Sequence, residues 1–342
     1  MKYPVLLAYI LIGIGLCGCK KDPSKEQQLL LHKEKVDTVD IIQLSSKPVQ
    51  RLKSTDIKLI KDLKYDKYTL DDVYPYKDTT RSFKWDLIRE KLAFIENIQL
   101  GDSIRWVVLQ NYKNSNREAP LVKQYIRNAY HRVSDTLGVE RYQSVPLYLP
   151  SDSVTPIRYG RDGNIAFLQG IKGTFSYIKP IDMDGEWLVP SRYLKELSDT
   201  TVFSHVIFID RKDQNITTLE RLGKGEWKIC SMNPATTGRH APPYAQETPL
   251  GIFLLQQKKK KMVFLKDGSQ ATGGYAPFAS RFTNGAYIHG VPVNVPQTQM
   301  IEYSWSLGTI PRSHMCVRNA TSHAQFIFEW APTAQTLIVV IE

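Results

Sequence analysis

His289 and Cys316 are the two residues of this 342-residue chain whose types and setting could do chemistry together. His289 closes the apolar run Ala286-Tyr287-Ile288-His289-Gly290. Cys316 follows 27 positions later, inside Pro311-Arg312-Ser313-His314-Met315-Cys316-Val317-Arg318-Asn319. A thiol attacks as thiolate, so it needs a base to take its proton and an electropositive setting to hold the charge. His289 can be that base. Arg312, His314 and Arg318 supply the setting, and backbone N–H groups across residues 313–316 can meet an oxyanion developing on an attacked carbonyl. Alone, a cysteine is more often a small buried hydrophobe and a histidine a hydrogen-bonded core residue. Together, and with the Thr248-Pro249-Leu250-Gly251 segment upstream, they point to a catalytic cysteine and its base.

The two segments resemble the L,D-transpeptidase family with its YkuD-type catalytic domain, which carries His-Gly, a spacer and Ser-His-Gly-Cys. Glu247-Thr248-Pro249-Leu250-Gly251-Ile252-Phe253 is similar to that family's Thr-Pro-x-Gly-x-Phe, and Thr336-Leu337-Ile338-Val339-Val340 to its closing strand, so the resemblance covers about residues 203–342. It implies a YkuD-like β-sandwich or barrel and acyl transfer on peptidoglycan stem peptides. Cys316 would attack the carbonyl between a diamino acid, commonly meso-diaminopimelate, and the terminal D-alanine. His289 would take the thiol proton and return it to the departing amine, its ring oriented by a main-chain carbonyl near Gly290. Ser313, His314 and Met315 belong to the oxyanion turn, and Arg318 would attract a substrate carboxylate. Tyr275, Phe278 and Arg281 are candidate substrate contacts from a loop roofing the groove.

The acyl acceptor stays open. A second stem amine gives a 3→3 crosslink, water an L,D-carboxypeptidase, and a lipoprotein amine an anchoring enzyme. Two departures from the family pattern matter. Met315 stands where Gly is usual, and a Met forced to φ > 0 would be strained. That favours a competing reading, a non-catalytic wall-binding lipoprotein with a decayed site. The spacer is also longer than usual, which predicts an extra loop beside the site. Peptidases of the NlpC type place Cys before His, the reverse of the order here. His289, His314 and Cys316 could in principle hold zinc, but no Cys-x-x-Cys or His-Glu-x-x-His spacing is present, so no metal or other cofactor is expected.

Composition sets the address. Hydrophobic residues at 42% and charged residues at 23% describe a globular chain. Forty-five Lys+Arg against 34 Asp+Glu leave +11, which suits anionic wall or lipid headgroups. No nucleic-acid motif accompanies that charge, so no nucleic-acid partner is expected. Lys2, the apolar residues 5–16 and Leu16-Cys17-Gly18-Cys19 resemble a lipoprotein signal ending in a lipobox. The resemblance implies lipidation of Cys19 and a monomer in the cell envelope, periplasmic and tethered to a membrane whose leaflet stays open. Cys230 and Cys316 would then be the free thiols.

Something must hold His289 and Cys316 together. Alternating runs from about residue 201 onward predict an antiparallel meander: residues 206–210, 216–222 and 227–232, then 250–256 and 262–265, with Lys258-Lys259-Lys260-Lys261 at a hairpin tip. Residues 286–290 form the His289 strand, residues 321–330 a helix capped by Thr321 or Ser322, and residues 337–341 the last strand. Upstream, residues 20–70 read as a polar tether. Residues 71–138 read as a small α+β unit, with helices over 83–98, capped by Ser82, and over 119–137. Residues 140–197 resemble bacterial SH3-like barrels, through Val145-Pro146-Leu147-Tyr148, Gly163-Asn164-Ile165-Ala166-Phe167-Leu168 and Gly185-Glu186-Trp187-Leu188-Val189-Pro190. The whole is mainly β with an α+β N-terminal part.

Overall fold

Strand alternation in the His205–Asp210 strand builds the centre of the molecule. Val206 and Phe208 enter one buried cluster while Ile207 and Ile209 enter another, so both faces of this strand are covered. The computed structural model describes residues 50–101 and 104–342; the signal segment, Cys19 and most of the expected tether lie outside the described residues. His205–Asp210 belongs to a six-stranded sheet running Lys58–Lys61, Glu226–Pro234, Asn215–Gly223, His205–Asp210, Thr336–Ile341, Gly251–Leu254. The closing strand Thr336–Ile341 pairs parallel with His205–Asp210, and all its residues are buried, as its unbroken apolar run requires.

A second sheet holds Gln257–Leu265, Thr272–Thr283, Ala286–His289 and Val317–Arg318, with Val293–Asn294 on its flank. The two sheets enclose Ile207, Ile209, Phe253, Phe282, Ile288, Val317 and Ile338, and helix Thr321–Trp330 adds Ile327. This is a β-sandwich that sets the His289 and Cys316 segments side by side. Ala320 is the N-cap residue of that helix, rather than Thr321 or Ser322. Thr321 Oγ1 instead donates to the Ile301 carbonyl, and the Ser322 N–H donates to Glu302 at 3.1 Å.

The outer face of the six-stranded sheet is covered by helix Trp85–Ile98 through Ile88, Leu92 and Ile95. This corrects the reading of residues 71–138 as a separate unit: the helix shares its core with Val206, Phe208 and Trp227. Its Glu96, 3% exposed, accepts from Arg221 Nε at 2.8 Å and Trp227 Nε1 at 3.1 Å. The helix starts at Trp85, because Ser82 is spent in strand Thr79–Ser82 and Lys84 is the cap. Part of the expected tether is also structured: Lys58–Lys61 pairs parallel with Glu226–Pro234, and Ile57 is buried.

No helix spans residues 119–137. Strands Tyr125–Arg127 and Val133–Asp135 form a hairpin there, and Asn128 Oδ1 accepts the Tyr130 and Arg132 N–H groups in the turn. The helical spacing misled because Leu121, Tyr125 and Ile126 are exposed while Val122 and Val133 are buried, so the apolar residues do not share one buried helical face. The lysine run is likewise not a hairpin tip but the middle of strand Gln257–Leu265. The ammonium groups of Lys258, Lys259 and Lys261 lie near aromatic rings, with Lys261 Nζ 4.1 Å from the Tyr275 centroid.

An accessory sheet runs Trp187–Pro190, Phe175–Pro180, Ile165–Lys172, Trp106–Leu109, Leu194–Glu196, with hairpin Ser144–Leu147 and Arg158–Arg161 beside it. Val107, Leu109, Val145, Leu147, Ile178 and Val189 form its core. Trp106–Leu109 thus belongs to this module and not to the unit upstream of it. Gly163, at φ +92°, lets the module approach the sandwich: a Cβ there would lie 2.0 Å from the Phe282 carbonyl oxygen.

Candidate active site

The pairing of two short strands decides the geometry of the site. Ala286–His289 runs parallel to Val317–Arg318, with Ile288 opposite Val317 and His289 opposite Arg318. Cys316 therefore sits at the mouth of the second strand. His289 and Cys316 line one pocket of about 570 Å³, together with Phe264, Gly285, Asn294, Ser313, His314 and Arg318.

His289 is 4% exposed, and its Nδ1 lies 2.6 Å from the Gly290 carbonyl oxygen. A carbonyl only accepts, so Nδ1 carries the proton in that bond and Nε2 keeps the lone pair of a base. Burial pushes the imidazole down to about 4, against the opposing effect of the Gly290 carbonyl, and the Arg318 charge pushes it down further. The ring is neutral over the ordinary range of pH. Gly290 is tightly enclosed: a Cβ would lie 2.6 Å from Thr321 Oγ1 and 2.9 Å from Pro277 Cγ.

Cys316 is partly buried, and its Sγ lies 3.5 Å from the Gly285 carbonyl oxygen. Burial pushes the thiol above its ordinary value, while the Tyr287 backbone N–H and the Arg318 charge pull the other way. At rest the pair is thiol and neutral imidazole, not thiolate and imidazolium. Cys230 is fully buried, and burial raises it to about 12, which leaves Cys316 as the accessible thiol among the described cysteines.

Residues 313–316 are held from outside by residues 236–248. The Ser313 N–H donates to Thr237 O at 3.1 Å, the Gln246 N–H to His314 O at 2.6 Å, and Thr248 Oγ1 to Met315 O at 2.8 Å. Ser313 Oγ closes the turn onto the Cys316 carbonyl. The N–H groups of His314, Met315 and Cys316 donate to no acceptor among the described residues, so the turn presents consecutive free donors. Met315 does not take positive φ, and its side chain packs against the sandwich core. The substitution of Met for Gly therefore brings no left-handed strain.

Arg318 lines the pocket and forms no ion pair among the described residues. Its Nε is buried without a partner. His314 turns outward to Asp267, Nε2 to Oδ2 at 2.9 Å, with both side chains about half exposed.

Tyr275, Phe278 and Arg281 do not line this pocket. They lie in strand Thr272–Thr283, not in a roofing loop, and the strand commits each elsewhere. Tyr275 Oη donates to the Thr298 carbonyl, Phe278 packs edge-on against Phe328, and Arg281 is buried against Asp162. The long spacer does border the site: Pro292, Asn294 and Val295 line the pocket, while Ile301, Tyr303 and Leu307 anchor it on Val291 and Ala320. Thr248, Gly238, Asp267 and Gly285 were not foreseen as parts of the site. Only Thr248 stood in a recognisable motif.

Residues 204–341 match the YkuD family, the L,D-transpeptidase catalytic domain. Among solved structures, the chain is similar to an L,D-transpeptidase from Mycobacterium tuberculosis H37Rv at 16% identity and TM-score 0.34, covering 54% of this chain and 92% of that one. It is similar to an L,D-transpeptidase from Mycobacterium smegmatis at 14% identity and TM-score 0.33, covering 52% and 90%. A fused Zn-dependent amidase/peptidase/peptidoglycan-binding protein from Clostridium acetobutylicum matches at 18% identity and TM-score 0.29, and the alignment covers 40% of this chain and 52% of that one. No curated protein matches the chain.

Proposed function

We propose that the YkuD domain makes this protein a peptidoglycan L,D-transpeptidase with Cys316 as nucleophile and His289 as base. As the sulfur attacks the carbonyl between the diamino acid and D-alanine of a tetrapeptide stem, its proton passes to His289 Nε2. The free N–H groups of residues 314–316 receive the oxyanion. The C–N bond breaks, imidazolium returns the proton to the departing D-alanine amine, and a thioester remains on Cys316. A second stem's amine then attacks the thioester, forming a 3→3 crosslink and regenerating the thiol. Arg318, left without an ion-pair partner, is suited to hold a substrate carboxylate bidentately.

The observation that carries this reading is the Nδ1 bond of His289 to Gly290 O at 2.6 Å, which leaves Nε2 free in the pocket that Cys316 also lines. The ordinary φ at Met315 supports an active site over a decayed one. In this reading Cys19 is lipidated and holds the enzyme in the envelope as a monomer, and the accessory sheet is an SH3-like module. The test is intact-protein mass after mixing with a carbapenem, followed by incubation with tetrapeptide muropeptides. A single adduct that vanishes in Cys316→Ala, and crosslinked dimers from the muropeptides, are expected. A folded protein that forms no adduct overturns the proposal, and a tripeptide without dimers would assign water as the acceptor.

A further inference from the structure

We infer that Asp162, on the accessory module, is a positioning residue for Cys316: it holds the turn that places Gly285 and Tyr287 against the sulfur. The inference rests on the reading of Cys316 as the reactive thiol.

Asp162 lies between strands Arg158–Arg161 and Ile165–Lys172 and is fully buried. Its Oδ1 accepts the Asn111 N–H of its own module at 3.0 Å. Its Oδ2 receives three donors from the sandwich: Arg281 Nη1 at 2.5 Å, Gln256 Nε2 at 3.0 Å and the Asn284 N–H at 3.0 Å. A buried carboxylate is a poor choice for gluing two modules together, because apolar side chains of similar volume do as well or better. What it can do that they cannot is fix donors in direction.

The donors it fixes lead to the thiol. Arg281 is the cross-strand partner of Tyr287, whose N–H favours the thiolate. Asn284, at φ 39°, is followed by Gly285, whose carbonyl faces Cys316 Sγ at 3.5 Å. Thr283 Oγ1, Asn284 Oδ1 and Arg281 Nε are buried without partners. Besides the strand pairing, Gln256 ties the segment through its N–H to the Arg281 carbonyl at 2.8 Å and its Nε2 to the Phe282 carbonyl at 2.9 Å, and Asp162 is the tie that fixes the Arg281 guanidinium and the Asn284 N–H. A second contact from the accessory module reinforces the placement: Tyr112 Oη lies 2.9 Å from Tyr287 Oη, and the Arg281 guanidinium lies 4.3 Å from the Tyr112 ring centre. The accessory module thus supplies part of the catalytic framework rather than only a second binding surface.

The test compares two full-length variants that cross the same interface. Asp162→Asn loosens the turn. Asn164→Ala removes the amide that donates to the Ile252 carbonyl at 3.1 Å and to Asp182 at 2.7 Å, away from the turn. The readouts are the melting temperature and the rate of Cys316 alkylation by iodoacetamide as a function of pH. In Asp162→Asn, alkylation near neutral pH is expected to slow ~10-fold or more, with its pH midpoint displaced from the wild-type value. In Asn164→Ala the melting temperature falls and the pH midpoint stays at the wild-type value. A wild-type profile in Asp162→Asn, or equal shifts in both variants, overturns the inference. If Asp162→Asn does not fold, Arg281→Lys loosens the same tie and the same two outcomes apply. Alkylation needs no transpeptidase activity, so a wild-type protein that alkylates but forms no carbapenem adduct would defeat the acyl-transfer reading separately.

Discussion

Acidification should unfold this protein through two buried imidazoles, one of them the proposed base. His289 is held at about 4 and His323 at about 3, against an ordinary 6.5. Both shifts come mainly from burial, and His323 is fully buried between Ser231 and Asn319. Each ring has a depressed folded value, so the unfolded chain binds more protons between the two values, and stability rises with pH across that window. Stability is therefore lost as pH falls below about 6.5 and continues to fall until the folded value is reached. Between about pH 7.5 and about pH 5 each ring should cost about 2 kcal/mol, or about 4 kcal/mol together. Asp182 works in the opposite direction, because burial raises its carboxyl to about 6 and acidification then favours the folded form. The measurement is accordingly a difference. Denaturant unfolding at the two pH values is compared between wild type and His323→Gln, and between wild type and His289→Asn. Each variant should lose about 2 kcal/mol less than wild type over that interval. A variant whose pH dependence equals that of wild type would refute the claim that its ring is buried neutral.

Met315→Gly should lower stability by about 1–2 kcal/mol through lost packing and added chain entropy, with carbapenem acylation no faster, measured by thermal melting and intact mass. Gly290→Ala should reduce acylation ~10-fold or more, because the added Cβ meets Thr321 and Pro277 and displaces the carbonyl that orients His289; stopped-flow acylation checks this. Arg318→Met should move stability and function in opposite directions. The melting temperature should rise, since an unpaired, partly buried guanidinium is lost, while KM for a carboxylate-bearing stem peptide rises ~10-fold or more.

The sequence carried the grouping of the pocket residues better than the architecture. His289, Ser313, Cys316 and Arg318 meet at one pocket because parallel pairing of Ala286–His289 with Val317–Arg318 brings together segments that read as separate motifs. The strands of the sandwich were also legible, since His205–Asp210 and Thr336–Ile341 carry runs that only a covered strand tolerates. Burial across sequence distance was not legible. Nothing local in Trp85–Ile98 shows that it covers the six-stranded sheet, or that Lys58–Lys61 extends that sheet. Residues 119–137 have helical spacing, but Pro120, the Asn128 turn and a solvated apolar set override it. Arg281 looked like a substrate contact because its segment resembles a loop that roofs the groove. Its carboxylate partner, Asp162, is 119 positions away in sequence.

The resting electrostatics also constrain how the proposed chemistry must run. Burial favours the neutral form of both partners, raising the Cys316 thiol and lowering His289. A stored thiolate–imidazolium pair is therefore the wrong ground state for this pocket. Two fixed groups nevertheless suit the ionised pair: the Tyr287 N–H at the sulfur and the Gly290 carbonyl at Nδ1. Arg318 favours the thiolate but opposes the imidazolium, so its net effect is small until substrate arrives. A substrate carboxylate on Arg318 would cancel both effects together, so it would hold the substrate without by itself moving the proton from sulfur to imidazole. An uncharged electrophile such as iodoacetamide would meet a sluggish thiol, and a carboxylate-bearing acyl donor a faster one, because Arg318 lines the same pocket and can hold its carbonyl near the sulfur.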